Sequence, residues 1–125
     1  MNQILLIALG GAIGSVFRYW VSTGAYKLLG PAFPYGTLAV NVIGSFVMGL
    51  LFILLLERLN GNNEQLRALL LVGFLGGFTT FSSFSIETFH LIERGEVTSA
   101  LVNIAASFVL CISATWMGVI MGRQG

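Results

Sequence analysis

The chain has 125 residues, 56% of them hydrophobic and 9% charged, with a mean hydropathy of +0.90; soluble domains carry about 25% charged residues. This excludes a water-soluble globular domain and predicts an integral membrane protein with almost nothing left for an extramembrane unit. A net charge of +1 argues against nucleic acid as a partner, and the lone cysteine, Cys111, rules out an intrachain disulfide.

Stretches of about twenty apolar residues predict an all-α fold of four transmembrane helices, at 4–25, 35–56, 66–91 and 97–121, in one domain over 1–125. The first is predicted to be retained rather than cleaved as a signal, because Met1-Asn2-Gln3 carries no positive charge and Arg18 interrupts the apolar run. Gly10, Gly14 and Arg18 fall at steps of four, with Gly11, Ser15 and Ser22 beside them. The glycines predict close helix packing. A guanidinium inside a span is costly, so Arg18 either serves a polar path or snorkels to the interface.

Two prolines and two glycines between Leu29 and Gly36 predict a reversing loop. In the second helix Thr37, Asn41, Gly44, Ser45 and Met48 form one stripe. Asn41 must find partners in lipid, through an interhelical hydrogen bond or by turning its NH₂ donors to an anion in an aqueous path. The following polar loop, Glu57 to Glu64, needs no functional explanation.

The third segment contains Gly76-Gly77-Phe78-Thr79-Thr80-Phe81-Ser82-Ser83-Phe84-Ser85. This run predicts a helix broken near its centre, unwound over 76–80 and resuming over 81–91. Non-helical backbone survives at bilayer depth only when buried in protein or lining a polar cavity, so the break marks an ion or solute site. Phe81, Phe84, Ser85 and Thr88 share a face of the resumed helix, with Ser82 and Ser83 adjoining. Glu87, His90, Glu93, Arg94 and Glu96 are read as interfacial ion pairs in preference to a proton relay. The fourth helix carries Asn103, Ser107, Cys111 and Thr115 at steps of four, a ladder predicted to face water or a polar partner.

Arg58, Arg67 and Arg123 flank one side of the predicted bundle, and Lys27 and Arg94 the other. Lysine and arginine in short flanking loops set orientation. A near tie therefore permits insertion both ways up, and with it an antiparallel homodimer; a single orientation fits the count equally well.

One histidine, no paired carboxylates and no Cys/His cluster argue against an enzyme. No acid precedes Glu57, which disfavours a cation path built from carboxylate rings. Amide, hydroxyl and guanidinium donors with the positive edges of phenylalanine rings suit a small anion. Unwound carbonyls suit a hard cation such as Na⁺.

Across nearly its whole length the sequence resembles the Fluc (CrcB-type) fluoride channels. The resemblance rests on Gly11, Gly14, Ser15, Arg18 and Tyr19; on Phe33-Pro34-Tyr35-Gly36-Thr37-Leu38 with Asn41 and Gly44; and on Gly76 to Ser85 with Glu87. It implies a dual-topology homodimer in the bacterial inner membrane, with two antiparallel pores that release cytoplasmic fluoride passively. It further implies that Phe81 and Phe84 meet fluoride with their ring edges and that Asn41 is the pore amide. Ser82 and Ser83 would continue a polar track, with Thr37, Ser107 and Asn103 further along it and Arg18 as the vestibule cation. Backbone carbonyls of Gly76 and Thr79 would hold a structural Na⁺ shared by the two subunits. The sequence departs from the pattern at Ser83, where threonine is common, and at Cys111, where the ladder leads one to expect a hydroxyl. Two rivals are a proton-coupled multidrug exporter, which needs a carboxylate in the first helix where none exists, and a non-transporting assembly subunit.

Overall fold

The computed structural model describes residues 2–58 and 63–124; the centre of the loop between the second and third segments lies outside the described residues. Among the described residues four helical spans are long and apolar enough to cross a membrane: Gln3–Leu29, Tyr35–Glu57, Glu64–Glu93 and Val97–Gln124. The first is α1 (Gln3–Leu29), capped by Asn2, whose side chain accepts from the Ile4 amide. It ends at Gly30, whose φ of +88° is the left-handed conformation that favours glycine. Pro31 and Pro34 then turn the chain into α2 (Tyr35–Ile53), which continues as a π-wound turn, Leu54–Arg58.

The third crossing is composite. It comprises α3 (Glu64–Leu66), a π-wound segment Arg67–Phe74, α4 (Leu75–Phe78), two extended residues, and α5 (Phe81–Glu93). The interruption sits near the middle of the 30-residue span, but it is shorter than the sequence predicts. Gly76, Gly77 and Phe78 stay helical, and only Thr79 and Thr80 are extended. At the far end Gly95, with φ of +80°, closes α5. The Glu96 amide reaches the Leu91 carbonyl at 2.8 Å, a Schellman-type stop, and α6 (Val97–Gln124) returns across the bundle.

Backbone-to-backbone packing holds the spans together. A side chain at Gly10 or Gly14 of α1 would run into the backbone at Leu69 and Phe74 of the π-wound segment. One at Gly77 would meet the Gly11 carbonyl, 2.5 Å from the position of its Cβ. Gly49 and Gly118 do the same for α2 against α6, facing the backbones of Thr115 and Phe46. Small residues at helix contacts let backbones approach closely where lipid offers no hydrophobic drive to associate. The glycine stripe of α1 is therefore a packing surface, and it seats α1 directly beside α4 and the break.

A methyl group at Gly14 must displace the Phe74 backbone. Gly14→Ala is expected to lower stability by about 1–3 kcal/mol, seen as an earlier thermal loss of the monodisperse species in detergent. Gly24→Ala, where a Cβ meets nothing within 4 Å, is expected to leave that transition in place.

Candidate functional site

Two extended threonines in the middle of a membrane span expose backbone groups that must find partners. Thr79 has φ −91° and ψ 161°, and Thr80 φ −154° and ψ 117°. Thr79 closes α4 by donating both its amide, at 3.0 Å, and its hydroxyl, at 2.9 Å, to the Leu75 carbonyl. Thr80 caps α5, its hydroxyl accepting from the Ser83 amide at 3.1 Å. Asn41 of α2 then makes a two-point bond to Thr80. Its Oδ1 accepts from the Thr80 amide at 2.8 Å, and its Nδ2 donates to the Thr80 carbonyl at 3.0 Å. From α1, Arg18 Nε donates to the Gly77 carbonyl at 2.9 Å.

This arrangement selects which carbonyls the break releases. In an uninterrupted helix the Thr80 and Ser83 amides would bond to the carbonyls of Gly76 and Thr79, four residues earlier. Here Asn41 and the Thr80 hydroxyl take those amides instead. The Gly77 and Thr80 carbonyls have partners in Arg18 and Asn41. The Gly76 and Thr79 oxygens, the pair expected to hold Na⁺, are thus deprived of their helical donors, as is that of Phe78, whose helical donor Ser82 lies in the first turn of α5. Neutral carbonyl oxygen is a suitable donor for a hard monovalent cation, so the residues fit that ion.

Beside the break lies a cavity of about 290 Å³ walled by α2, α4, α5 and α6. It gathers Asn41, Thr79, Phe81, Phe84 and Ser107 from the predicted set. Asn41 has a second N–H on Nδ2 beyond the one given to Thr80, so it is a wall donor as well as a brace for the break. Phe81 and Phe84 stand 5.3 Å apart between ring centroids at 43°. Phe84 is 8% exposed and Phe81 68% exposed, so the second ring is enclosed by this chain while the first projects from it. Ser45, Cys111 and Thr115 also line the cavity; the Thr115 hydroxyl donates to the Ser45 carbonyl at 3.1 Å.

The other predicted residues lie elsewhere. Asn103 is buried at the α5–α6 contact, its Nδ2 donating to the Thr88 hydroxyl at 2.9 Å, which donates in turn to the Phe84 carbonyl at 2.7 Å. Its amide holds α6 against the turn that carries Phe84 and does not line the cavity. Thr37 is buried near the start of α2, beside Tyr26. Ser82 is exposed, its hydroxyl 3.3 Å from that of Thr80, and Ser83 contributes the amide that Thr80 caps. Arg18 reaches the break itself through Gly77. Of the acidic groups near the end of the third crossing, Glu87 accepts from the Tyr26 hydroxyl at 3.2 Å, and Glu96 pairs with Arg94 at 2.9 Å. Phe108, packed 6.2 Å from Phe84 between centroids, is a cavity residue that the sequence reading missed. Its only signal is an aromatic ring next to Ser107 on the ladder.

Residues 5–119 match the family model for CrcB-like protein, Camphor Resistance (CrcB). The chain belongs to the CrcB-like family. It is 58% identical over 122 residues to the fluoride-specific ion channel FluC of Coxiella burnetii (strain Dugway 5J108-111), covering 98% of both chains. It is 53% identical over 121 residues to the protein of that name from Magnetococcus marinus, covering 97% of this chain and 98% of the relative. The Geobacter sulfurreducens relative is likewise 53% identical, over 124 residues and 99% of each chain. With four helical spans apolar enough to cross a membrane and relatives named as ion channels, the chain is a multi-pass membrane protein.

Asn41→Leu strands the amide of Thr80 and removes the second donor on its carbonyl, which as N-cap of α5 keeps the first helical bond. An orphaned buried amide costs about 1–3 kcal/mol, so the variant is expected to unfold several degrees earlier in detergent. Asn41→Asp keeps the acceptor and loses the donor, and is expected to fall between Leu and the parent.

Proposed function

We propose that the protein is a passive, fluoride-selective channel that works as an antiparallel homodimer with two pores. The observation that carries this reading is the break at the cavity wall, where α5 begins at bilayer depth with Phe81 and Phe84 in its first turns. A helix N-terminus carries partial positive charge and free amides. Phenylalanine ring edges are positive as well. Together with the second N–H of Asn41 and the Ser107 hydroxyl they make a wall of weak, fixed donors.

Fluoride is small and strongly hydrated, and it must exchange water for such donors to cross. Many weak contacts lower the crossing cost without binding so tightly that exit stalls. Larger halides would meet poorer donor geometry. Among the proposed pore residues, Phe81, Phe84, Asn41 and Ser107 contact the anion, and Ser82, Ser83 and Thr37 extend the track. Asn103 serves as a positioning residue through Thr88. The guanidinium of Arg18 attracts anions toward the break while its Nε holds the Gly77 carbonyl.

The homodimer reading is supported by the projecting Phe81 ring at mid-membrane and by the near-balanced flanking charges. Gly76 and Thr79 carbonyls from two subunits would supply four oxygens to a structural Na⁺, whose charge would offset the facing carbonyl dipoles at the two-fold axis. Residence in a bacterial inner membrane follows the same reading. The exporter alternative lacks a carboxylate in α1 or α2 before Glu57, and the transport is therefore downhill.

Purified protein in liposomes is expected to release fluoride, read by an ion electrode, and to retain chloride. Folded protein that leaves vesicles sealed to fluoride would favour the assembly-subunit alternative. Phe81→Ile keeps apolar bulk but removes ring edges worth about 0.5–1.5 kcal/mol; fluoride flux is expected to fall roughly tenfold with the oligomer intact. Rigorous replacement of Na⁺ by a large organic cation is expected to weaken both dimer and flux, and undiminished activity would remove the ion from the reading.

A further inference from the structure

At the end of the bundle where α1 starts, a groove of about 470 Å³ runs between α1, the end of α2 and the start of the third crossing. Its volume falls within the range of about 300–1,000 Å³ typical of small-molecule sites. It shares no lining residue with the cavity at the break. The two π-wound segments, Leu54–Arg58 and Arg67–Phe74, both border it through Leu56, Arg67 and Leu71. Such wide turns appear frequently at functional sites.

The groove is graded along the direction of the helices. Its rim is polar, formed by Gln3, Glu64 and Arg67 at the first turns of α1 and the third crossing. One turn further in, the walls are apolar, with Ile7, Leu71 and Val72. That is the polarity of a lipid lying parallel to the helices, head at the water boundary and chain in hydrocarbon.

Arg67 supplies the decisive detail. Its Nε is closed off from solvent and has no hydrogen-bond partner among the described residues. The acids described at this end of the bundle are bonded elsewhere. Glu57 is engaged by Arg123, at 3.1 Å from Nη2, and Glu64 accepts from Gln3 at 3.3 Å. A buried donor on a charged group is expensive to leave without an acceptor, and a guanidinium matches phosphate oxygens with a planar, two-pronged set of donors. Glu64, on the same rim, adds a carboxylate that an ammonium group can meet.

We propose that this groove binds a glycerophospholipid with a primary-amine head group, its phosphate on Arg67, its ammonium on Glu64 and an acyl chain along Ile7, Leu71 and Val72. A guanidinium at the end of a membrane helix recognises a lipid phosphate by the same charge-assisted pairing.

Native mass spectrometry of the detergent-purified protein tests this, with phosphatidylethanolamine, phosphatidylcholine, diacylglycerol and inorganic phosphate added in turn. The amine phospholipid is expected to be retained best. Phosphatidylcholine, whose methylated nitrogen cannot donate to Glu64, is expected to be held less well, and diacylglycerol and inorganic phosphate hardly at all. Arg67→Gln is expected to weaken retention of the amine lipid about tenfold, and the ligand series on the unmodified protein stands even if that variant folds poorly. Diacylglycerol held equally well, inorganic phosphate displacing the lipid, or a folded Arg67→Gln variant with undiminished retention would each overturn the proposal. So would efficient disulfide formation between two copies of Val72→Cys in membranes, which would show the groove covered by protein.

Discussion

The structure turns on the two hydrogen bonds between the Asn41 carboxamide and the backbone of Thr80. A membrane span interrupted at its centre is tolerable only if every exposed amide and carbonyl is matched or put to use. A primary amide is the one neutral side chain that offers a donor and an acceptor in the geometry of a peptide group. Asn41 thereby substitutes for the helix acceptor that the Thr80 amide forgoes and adds a donor to its carbonyl. Thr80 passes the effect on, since its hydroxyl caps α5 and so begins a helix where another has just ended. Without that match the chain at 79–80 would gain by staying helical, and the cavity beside it would close.

Close helix contacts decide where that bond can form. Glycines along α1 bring its backbone against the π-wound segment and α4, which puts Arg18 within reach of the Gly77 carbonyl. Glycines at 49 and 118 bring α2 against α6 in the same way, placing Asn41 and Ser107 on walls of one cavity. Asn41 and the Thr80 hydroxyl take the amides that would otherwise bond the carbonyls of Gly76 and Thr79, and Arg18 occupies the Gly77 carbonyl between them. A side chain of α2 thus sets the character of an oxygen on another helix that it does not itself bond.

Much of this was legible in the sequence. Four apolar stretches define the spans, and the glycine and hydroxyl run locates the interruption. The extent of the interruption was not legible, because Gly76-Gly77 reads as a flexible pair, whereas Gly77 lacks a side chain to let Gly11 approach. Composition does not distinguish those two uses of glycine. The ladder on α6 was legible as a polar stripe but not in its detail. Steps of four residues advance about 40° beyond a full turn, so residues from 103 to 115 sweep around the helix. Ser107, Cys111 and Thr115 line the cavity, Thr115 also bonding the backbone of α2, whereas Asn103 has turned to Thr88 of α5. The π-wound segments left no sign at all; both lie in leucine-rich stretches that an ordinary helix would accommodate equally.

The packing also divides the bundle mechanically. Through its glycines α1 grips the first half of the third crossing. The second half is tied to α6 by the short turn at Gly95 and by the Asn103–Thr88 bond, and α6 is locked to α2 through Gly49 and Gly118. Thr79 and Thr80 stand where these two sets of contacts meet, and α1 bridges to the second set as well, Tyr26 lying against Gly36 of α2 and donating to Glu87 of α5. The α2 side chain at the break makes a pair of bonds near 3 Å. A displacement of about an ångström there would stretch those bonds beyond useful length, so a single carboxamide braces the break against the packing on both sides.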